Sequence, residues 1–266
     1  MDPEKLRKRL HNRMRRAILD YDLIQEGDRI LVCLSGGKDS FAMLTLLQEL
    51  SERAPVKFEL VAFHLDQKQP GYPTGAMVTY LESTGVPFEV VEEDTYSVVQ
   101  DKLAPDATPC SLCSRLRRGM IYRHAEQHRC NKIALGHHRD DSIETLLLNI
   151  FHTGQMQGMP VTYTTDDGRF DVIRPLLYVA EEDLVEFSIH MNYPIIPCTL
   201  CGSVEGRRKF IKNTIDELEK TIPQVRHSIL ASMQNVRTSH LLDKGLTRTG
   251  REIPVPSACQ SGDDLF

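Results

Sequence analysis

Ile30-Leu-Val-Cys-Leu-Ser-Gly-Gly-Lys-Asp-Ser40 decides the fold. Ile30 to Leu34 is an apolar run of strand length, and it ends in Ser-Gly-Gly, a tight-turn signal. Residues 41–50 follow with Met43, Leu44, Leu47 and Leu50 at helical spacing. A buried strand, a glycine turn and a helix in that order open an α/β sheet, and in such sheets ligands bind beyond the carboxyl ends of the strands. Ser35 to Ser40 falls there. Gly36 and Gly37 let the backbone turn tightly and approach a ligand without a Cβ clash. The amides opening the helix favour an anion, Lys38 adds a positive charge, and Ser35 and Ser40 add hydroxyl donors. The spacing is not Gly-x-x-x-x-Gly-Lys-Ser/Thr, so this is not the usual nucleoside-triphosphatase loop. We read the hexapeptide as the seat of the pyrophosphate end of ATP.

Outward from this turn, strand and helix alternate. Strands are predicted at 58–65, 88–91, 133–135 and 172–176, and helices at 77–83, 112–128, 143–151 and 182–190, with a Pro/Gly-rich loop at 69–75. The pattern predicts a doubly wound α/β fold with a mainly parallel five-stranded sheet. Leu6, Leu10, Met14 and Ile18 recur every fourth residue, giving an N-terminal amphipathic helix with a basic outer face. Two more helices are expected at 209–218 and 224–233. The expected organisation is a basic helix over 1–28, a core over 29–190, the second cysteine pair with C-terminal helices packed on the core over 191–242, and a flexible tail over 243–266.

The chain has 266 residues, a formal net charge of −5 and 41% apolar residues, enough for a real core. No apolar stretch reaches the length of a membrane span, and the N-terminus lacks a secretory signal, so a cytoplasmic protein without a membrane partner is expected. Seven cysteines, an odd number, argue against a disulfide framework. Basic residues cluster locally: Lys5 to Arg16, then Arg115, Arg117, Arg118 and Arg123, then Arg207, Arg208, Lys209 and Lys212. A basic face on an acidic protein is a workable footprint for RNA, and the N-terminal helix with the 115–118 segment is expected to grip its backbone; ordinary solvated helix surface is the plain alternative.

Two further motifs carry chemistry. Gly136-His-His-Arg-Asp-Asp141 lies at a predicted strand end, where adjacent carboxylates suit Mg²⁺ held together with substrate phosphates. Asp140 or Asp141 could instead cap the following helix, as could Asp39 its own, and His137 and His138 alone are weak evidence for a metal. Cys110-x-x-Cys113 and Cys198-x-x-Cys201 could hold a structural zinc ion, although zinc ribbons usually separate their pairs by only about 15–20 residues. Cys33 reads as a small buried apolar side chain. Cys130 and Cys259 suggest no role.

The hexapeptide resembles the signature of the PP-loop ATP-pyrophosphatases, whose fold is adenine nucleotide alpha hydrolase-like. Leu65-Asp-Gln-Lys-Gln-Pro-Gly71, Cys110-Ser-Leu-Cys-Ser-Arg-Leu-Arg-Arg-Gly119, Gly136-His-His-Arg-Asp-Asp141, Pro194-Ile-Ile-Pro-Cys-Thr-Leu-Cys-Gly-Ser203 and Ser232-Met-Gln-Asn-Val236 together resemble the tRNA 2-thiocytidine synthases. The resemblance runs to about Leu242. It implies ATP-dependent thiolation of cytidine 32 in the tRNA anticodon loop, by adenylation of the C2 oxygen and its replacement with sulfur. It also implies a [4Fe–4S] cluster on Cys110, Cys113 and Cys201, with Cys198 as a neighbour. Three thiolates leave one iron with an open position. The catalytic set would be Lys38, Asp39 and Asp141. ATP and Mg²⁺ would be held by Ser35, Gly36, Gly37, Lys38, Asp39, Ser40, Asp66, His137 and Asp140. A cysteine desulfurase or other sulfur donor and a homodimeric assembly are expected. Competing readings are a tRNA 2-thiouridine synthase, which typically carries extra zinc-binding cysteine pairs, a lysidine synthase, which needs no paired cysteines, and a zinc-stabilised RNA-binding protein without activity.

Overall fold

A computed structural model of the chain describes residues 2–102, 109–196 and 205–242. Strands β1 (Arg29–Leu34), β2 (Glu59–Asp66), β3 (Phe88–Glu92), β4 (Lys132–Ala134), β5 (Thr162–Thr164) and β6 (Asp171–Ile173) form one sheet in the order β3-β2-β1-β4-β6-β5. All neighbours pair in parallel except β5, which runs antiparallel to β6. The sheet therefore has six strands where the sequence predicted five. The added β5 is Thr162-Tyr-Thr164 at the sheet edge, too short and polar to show an alternating pattern.

Side chains of β1 alternate between two buried faces, as a central parallel strand requires. Ile30, Val32 and Leu34 join a core with Leu6, Leu10 and Met14 of α1 (Pro3–Asp20), Phe41, Met43, Leu44 and Leu47 of α2 (Lys38–Arg53), Met77 and Leu81 of α3 (Thr74–Thr84), and Leu184 and Phe187 of α7 (Glu181–Met191). Leu31 faces the other way, with Val61 and Phe63, onto Met120, Ile121 and Ala125 of α5 (Pro109–Gln127). Helices thus cover both faces, and the doubly wound arrangement holds. The predicted amphipathic stripe of α1 is the face that packs. Helix α4 (Thr95–Lys102) had no clear signal in the sequence.

A smaller cluster extends the fold: Ile143 of α6 (Arg139–His152) packs with Ile211 and Ile215 of α8 (Glu205–Thr221) and Val225 of α9 (Val225–Gln234). It brings α8 back to the carboxyl edge of the sheet. No helix among the described residues is long and apolar enough to cross a membrane.

Candidate active site at the carboxyl edge of the sheet

The phosphate turn is built as the sequence requires. Gly36 has φ +88°, a left-handed value that disfavours any side chain, and a Cβ there would meet the Ile196 carbonyl oxygen at 3.0 Å. The Ile196 amide donates to the Gly36 carbonyl at 2.9 Å. The Ser40 hydroxyl donates to the Gly37 carbonyl at 2.8 Å and accepts from the Ser35 amide at 3.2 Å, closing the turn over the start of α2.

The second motif sits against the first. A Cβ on Gly136 would lie 3.2 Å from the Ser40 amide nitrogen, so the loop after β4 and the phosphate turn are as close as two backbones can pack. Asp141, at the third position of α6, accepts the His138 amide at 3.0 Å, and its other oxygen faces Arg208 of α8 at 3.2 Å. Burial would raise the Asp141 pKa, but His138, His137 and Arg208 together hold it below the usual carboxylate value. Burial raises Asp39, against the opposing pull of His138 and Lys38. Asp39 Oδ1 is buried with no hydrogen-bond partner among the described residues. His138 Nε2 lies 3.9 Å from it, and a desolvated carboxylate oxygen that accepts no hydrogen bond is suited to a cation.

Asp140 behaves differently. Its carboxylate accepts from Arg226 of α9 at 2.8 Å, Arg139 at 3.0 Å and the Glu181 amide at 2.8 Å, and the residue is 1% exposed. It joins α6, α7 and α9 and does not reach the cavity. Asp66 is equally buried: it accepts the Lys68 amide at 2.8 Å and the Thr74 hydroxyl, and so anchors the loop that follows β2.

A cavity of about 370 Å³ opens where these loops meet. Ser35, Asp39, Ser40, His137 and Asp141 line it, with Gln67, Gln69 and Tyr72 from the loop after β2, Arg117 of α5 and Arg208 of α8. His137 accepts at Nδ1 from the wholly buried Arg174 at 3.3 Å, and burial with that guanidinium depresses its pKa to about 4. The ring is therefore neutral with its proton on Nε2. Lys38 lies beside Asp39 and Glu181, 3.3 Å from each, and Lys212 meets the other Glu181 oxygen at 2.6 Å. A wider groove of about 990 Å³ between α1 and the ends of α2 and α7 holds none of the motif residues.

Cys113 of the first cysteine pair sits behind the cavity wall, against the lining residue Gln67. Cys110 and Cys113 occupy the opening turns of α5. Cys113 is buried, and its thiol donates to Gln67 Oε1 at 3.3 Å. Cys198 and Cys201 lie outside the described residues. Both described flanks of that segment touch the site, through Ile196 on Gly36 and Arg208 on Asp141. Cys33, expected to be core packing, packs against the second core cluster and also lines the cavity, with its thiol held protonated by burial, pushed up to about 12.

Sequence reasoning missed several of these groups. Glu181 was not singled out in the sequence, yet it bridges Lys38 and Lys212. Arg174 and Tyr72 gave no signal. Arg117 and Arg208 were visible only as members of basic clusters. Part of the expected RNA-gripping face of α1 is committed within the fold: Arg9 pairs with Asp183, Arg7 with Glu49 at 3.2 Å, and Arg13 donates to the Tyr178 carbonyl at 3.0 Å, whereas Lys5, Lys8, Arg15 and Arg16 are exposed.

Comparison with known proteins agrees with this geometry. A family model for the PP-loop domain matches residues 5–194. The chain is 52% identical over 240 residues to a tRNA-cytidine(32) 2-sulfurtransferase of Vibrio vulnificus (strain YJ016), covering 90% of this chain and 77% of that protein. It is 51% identical over 264 residues to a protein of the same name from Dechloromonas aromatica (strain RCB), covering 99% and 92%. Among solved structures, the U34-tRNA thiolase NcsA from Methanococcus maripaludis with its [4Fe-4S] cluster has a similar fold, with a TM-score of 0.69 at 24% identity, covering 88% of this chain and 79% of that one.

Proposed function

The chain belongs to the PP-loop family of tRNA-cytidine(32) 2-sulfurtransferases, and from that membership we propose how its residues exchange the C2 oxygen of cytidine 32 in a tRNA anticodon loop for sulfur at the expense of ATP. One observation carries the reading. The phosphate turn, two carboxylates and the wall beside Cys113 converge on a single cavity.

The turn amides and the hydroxyls of Ser35 and Ser40 hold the phosphates of ATP. Lys38 exchanges its Glu181 partner for phosphate oxygens and stabilises the charge that develops on pyrophosphate. Asp39, whose Oδ1 accepts no hydrogen bond among the described residues, and Asp141 would hold Mg²⁺ with the phosphates, while Asp140 and Asp66 support the frame. Neutral His137 offers its Nε2 proton to the nucleotide. The cytidine O2 attacks the α-phosphorus, the bond to the bridging oxygen breaks, and pyrophosphate leaves. Sulfur at the sulfide level, as hydrosulfide, then bonds to C2, the C2–O bond breaks, AMP carries the oxygen away, and the proton on sulfur passes to solvent.

The donor set suits an iron–sulfur cluster: Cys113 is buried beside the cavity, Cys110 shares its helix terminus, and the chain flanking Cys201 touches the same site. Cys110, Cys113 and Cys201 would hold a [4Fe–4S] cluster, which would supply an iron free to carry the sulfur to be transferred. Arg117 and Arg208 line the cavity and meet the anticodon-loop backbone, since loop bases can be splayed into a pocket. A cytoplasmic location, a sulfur donor such as a cysteine desulfurase, and a homodimer belong to the same reading and rest on resemblance.

Mass spectrometry of tRNA nucleosides from cells lacking the gene tests the reading. Loss of 2-thiocytidine alone is expected. Loss of 2-thiouridine instead, or no loss, overturns it.

A further inference from the structure

Gln67 stands between the two halves of the site. It lines the cavity, yet it is only 6% exposed. Its backbone carbonyl accepts the Tyr96 amide at 3.2 Å. Its side-chain Oε1 accepts from the Thr95 hydroxyl at 3.3 Å and from the Cys113 thiol at 3.3 Å. Thr95 and Cys113 are buried too. A glutamine fixed from both ends beside a cysteine is not needed for packing alone. Its side-chain oxygen is committed to one thiol and one hydroxyl.

That arrangement fits a protonated Cys113. A metal ligand is a thiolate, which has no proton to donate. An Oε1 facing it would set two acceptors against each other. Rotating the amide by half a turn about its last bond keeps every heavy atom in place and exchanges the oxygen for the NH₂ group. One N–H then points at the Cys113 sulfur and the other at the Thr95 oxygen, which accepts as readily as it donates. The hydrogen-bond trio reverses polarity without moving the backbone.

We infer that Gln67 is a positioning residue that donates an N–H bond to the Cys113 sulfur when that cysteine holds the cluster, and so raises the cluster's reduction potential. The inference rests on the cluster reading above. Its physical basis is that a donor aimed at a ligating sulfur stabilises the more negative, reduced cluster. Thr95 acts through Gln67 by fixing the plane of its amide.

The test uses full-length protein reconstituted anaerobically, with iron and sulfide analysis and a redox titration followed by electron paramagnetic resonance. Gln67→Leu is expected to keep its cluster and to lower the reduced-to-oxidised ratio at a fixed potential about tenfold, which is 59 mV for one electron. Thr95→Val should shift the midpoint the same way by less. A full cluster with an unchanged midpoint in Gln67→Leu overturns the inference and leaves the cluster reading standing. If Gln67→Leu holds no cluster, Thr95→Val decides: a lowered midpoint supports the inference and an unchanged one overturns it. Loss of the cluster from both variants also overturns it, assigning the trio to folding. Wild-type protein that takes up zinc and no iron overturns the cluster reading, and the inference with it.

Discussion

The amide of Ile196 is hydrogen-bonded to the carbonyl of Gly36 at 2.9 Å, so the segment entering the second cysteine pair is fastened to the phosphate turn itself. A side chain at position 36 would strike that segment as well as strain the turn. Gly36→Ala should lower stability by about 1–3 kcal/mol and weaken ATP binding. Urea unfolding and nucleotide titration read the two effects, and an alanine variant with wild-type values for both would show the contact to be incidental.

Lys38→Ala removes the cation that Glu181 now holds. It should reduce thiolation by roughly 10²–10³-fold while iron content and the cluster's absorbance stay unchanged. Retained turnover would remove Lys38 from the catalytic set.

The adjacent carboxylates should separate cleanly. Asp140→Asn leaves Arg139 and Arg226 facing a neutral partner in the interior, at a cost of about 3–5 kcal/mol in unfolding free energy. Asp141→Asn keeps a side-chain oxygen for the His138 amide, so it should fold normally yet fail to cleave ATP. Unfolding curves set beside pyrophosphate release distinguish them, and the opposite pattern would exchange their roles.

Glu144, one turn beyond Asp141 on α6, is pushed up to about 7 by burial, against the pull of Arg208 and with Asp141 adding to the rise. A carboxyl whose folded pKa is raised contributes stability in its protonated form. That contribution is complete below the ordinary carboxylate value of 4.5 and fades as pH climbs through about 7. The nucleotide-free protein should therefore lose stability over this window, and Glu144→Gln should remove the dependence and be more stable at pH 8 by about 1–2 kcal/mol, allowing for solvent screening. Thermal melts across pH 5–8 measure it; parallel curves for the two proteins would exclude Glu144 as the source.

The sequence was most informative where structure is local. The strand, glycine turn and helix at 30–50 and the alternation after it follow from short-range pattern, and so did the two motifs at strand ends. What escaped depends on distant segments meeting. Asp140 and Asp141 are neighbours of one chemical type, and only the return of α8 and α9 gives one to Arg226 and the other to Arg208. Arg9 and Arg13 looked available to RNA because their partners, Asp183 and the Tyr178 carbonyl, lie far along the chain. β5 escaped because an edge strand of threonine and tyrosine has no apolar period to read.

Gly136 has a consequence for the proposed metal chemistry. The carboxylates of Asp39 and Asp141 belong to separate loops, and the gauge between those loops is the hydrogen atom that stands where Gly136 would carry a methyl group. A methyl there would meet Ser40 and Asp39 backbone atoms at 3.2–3.3 Å, so the loops would have to part by a few tenths of an ångström. Magnesium tolerates little departure from octahedral bond lengths near 2.0–2.1 Å. On the proposed magnesium reading, the smallest side chain in the motif would calibrate the bite of a two-jawed chelator to which it contributes no ligand.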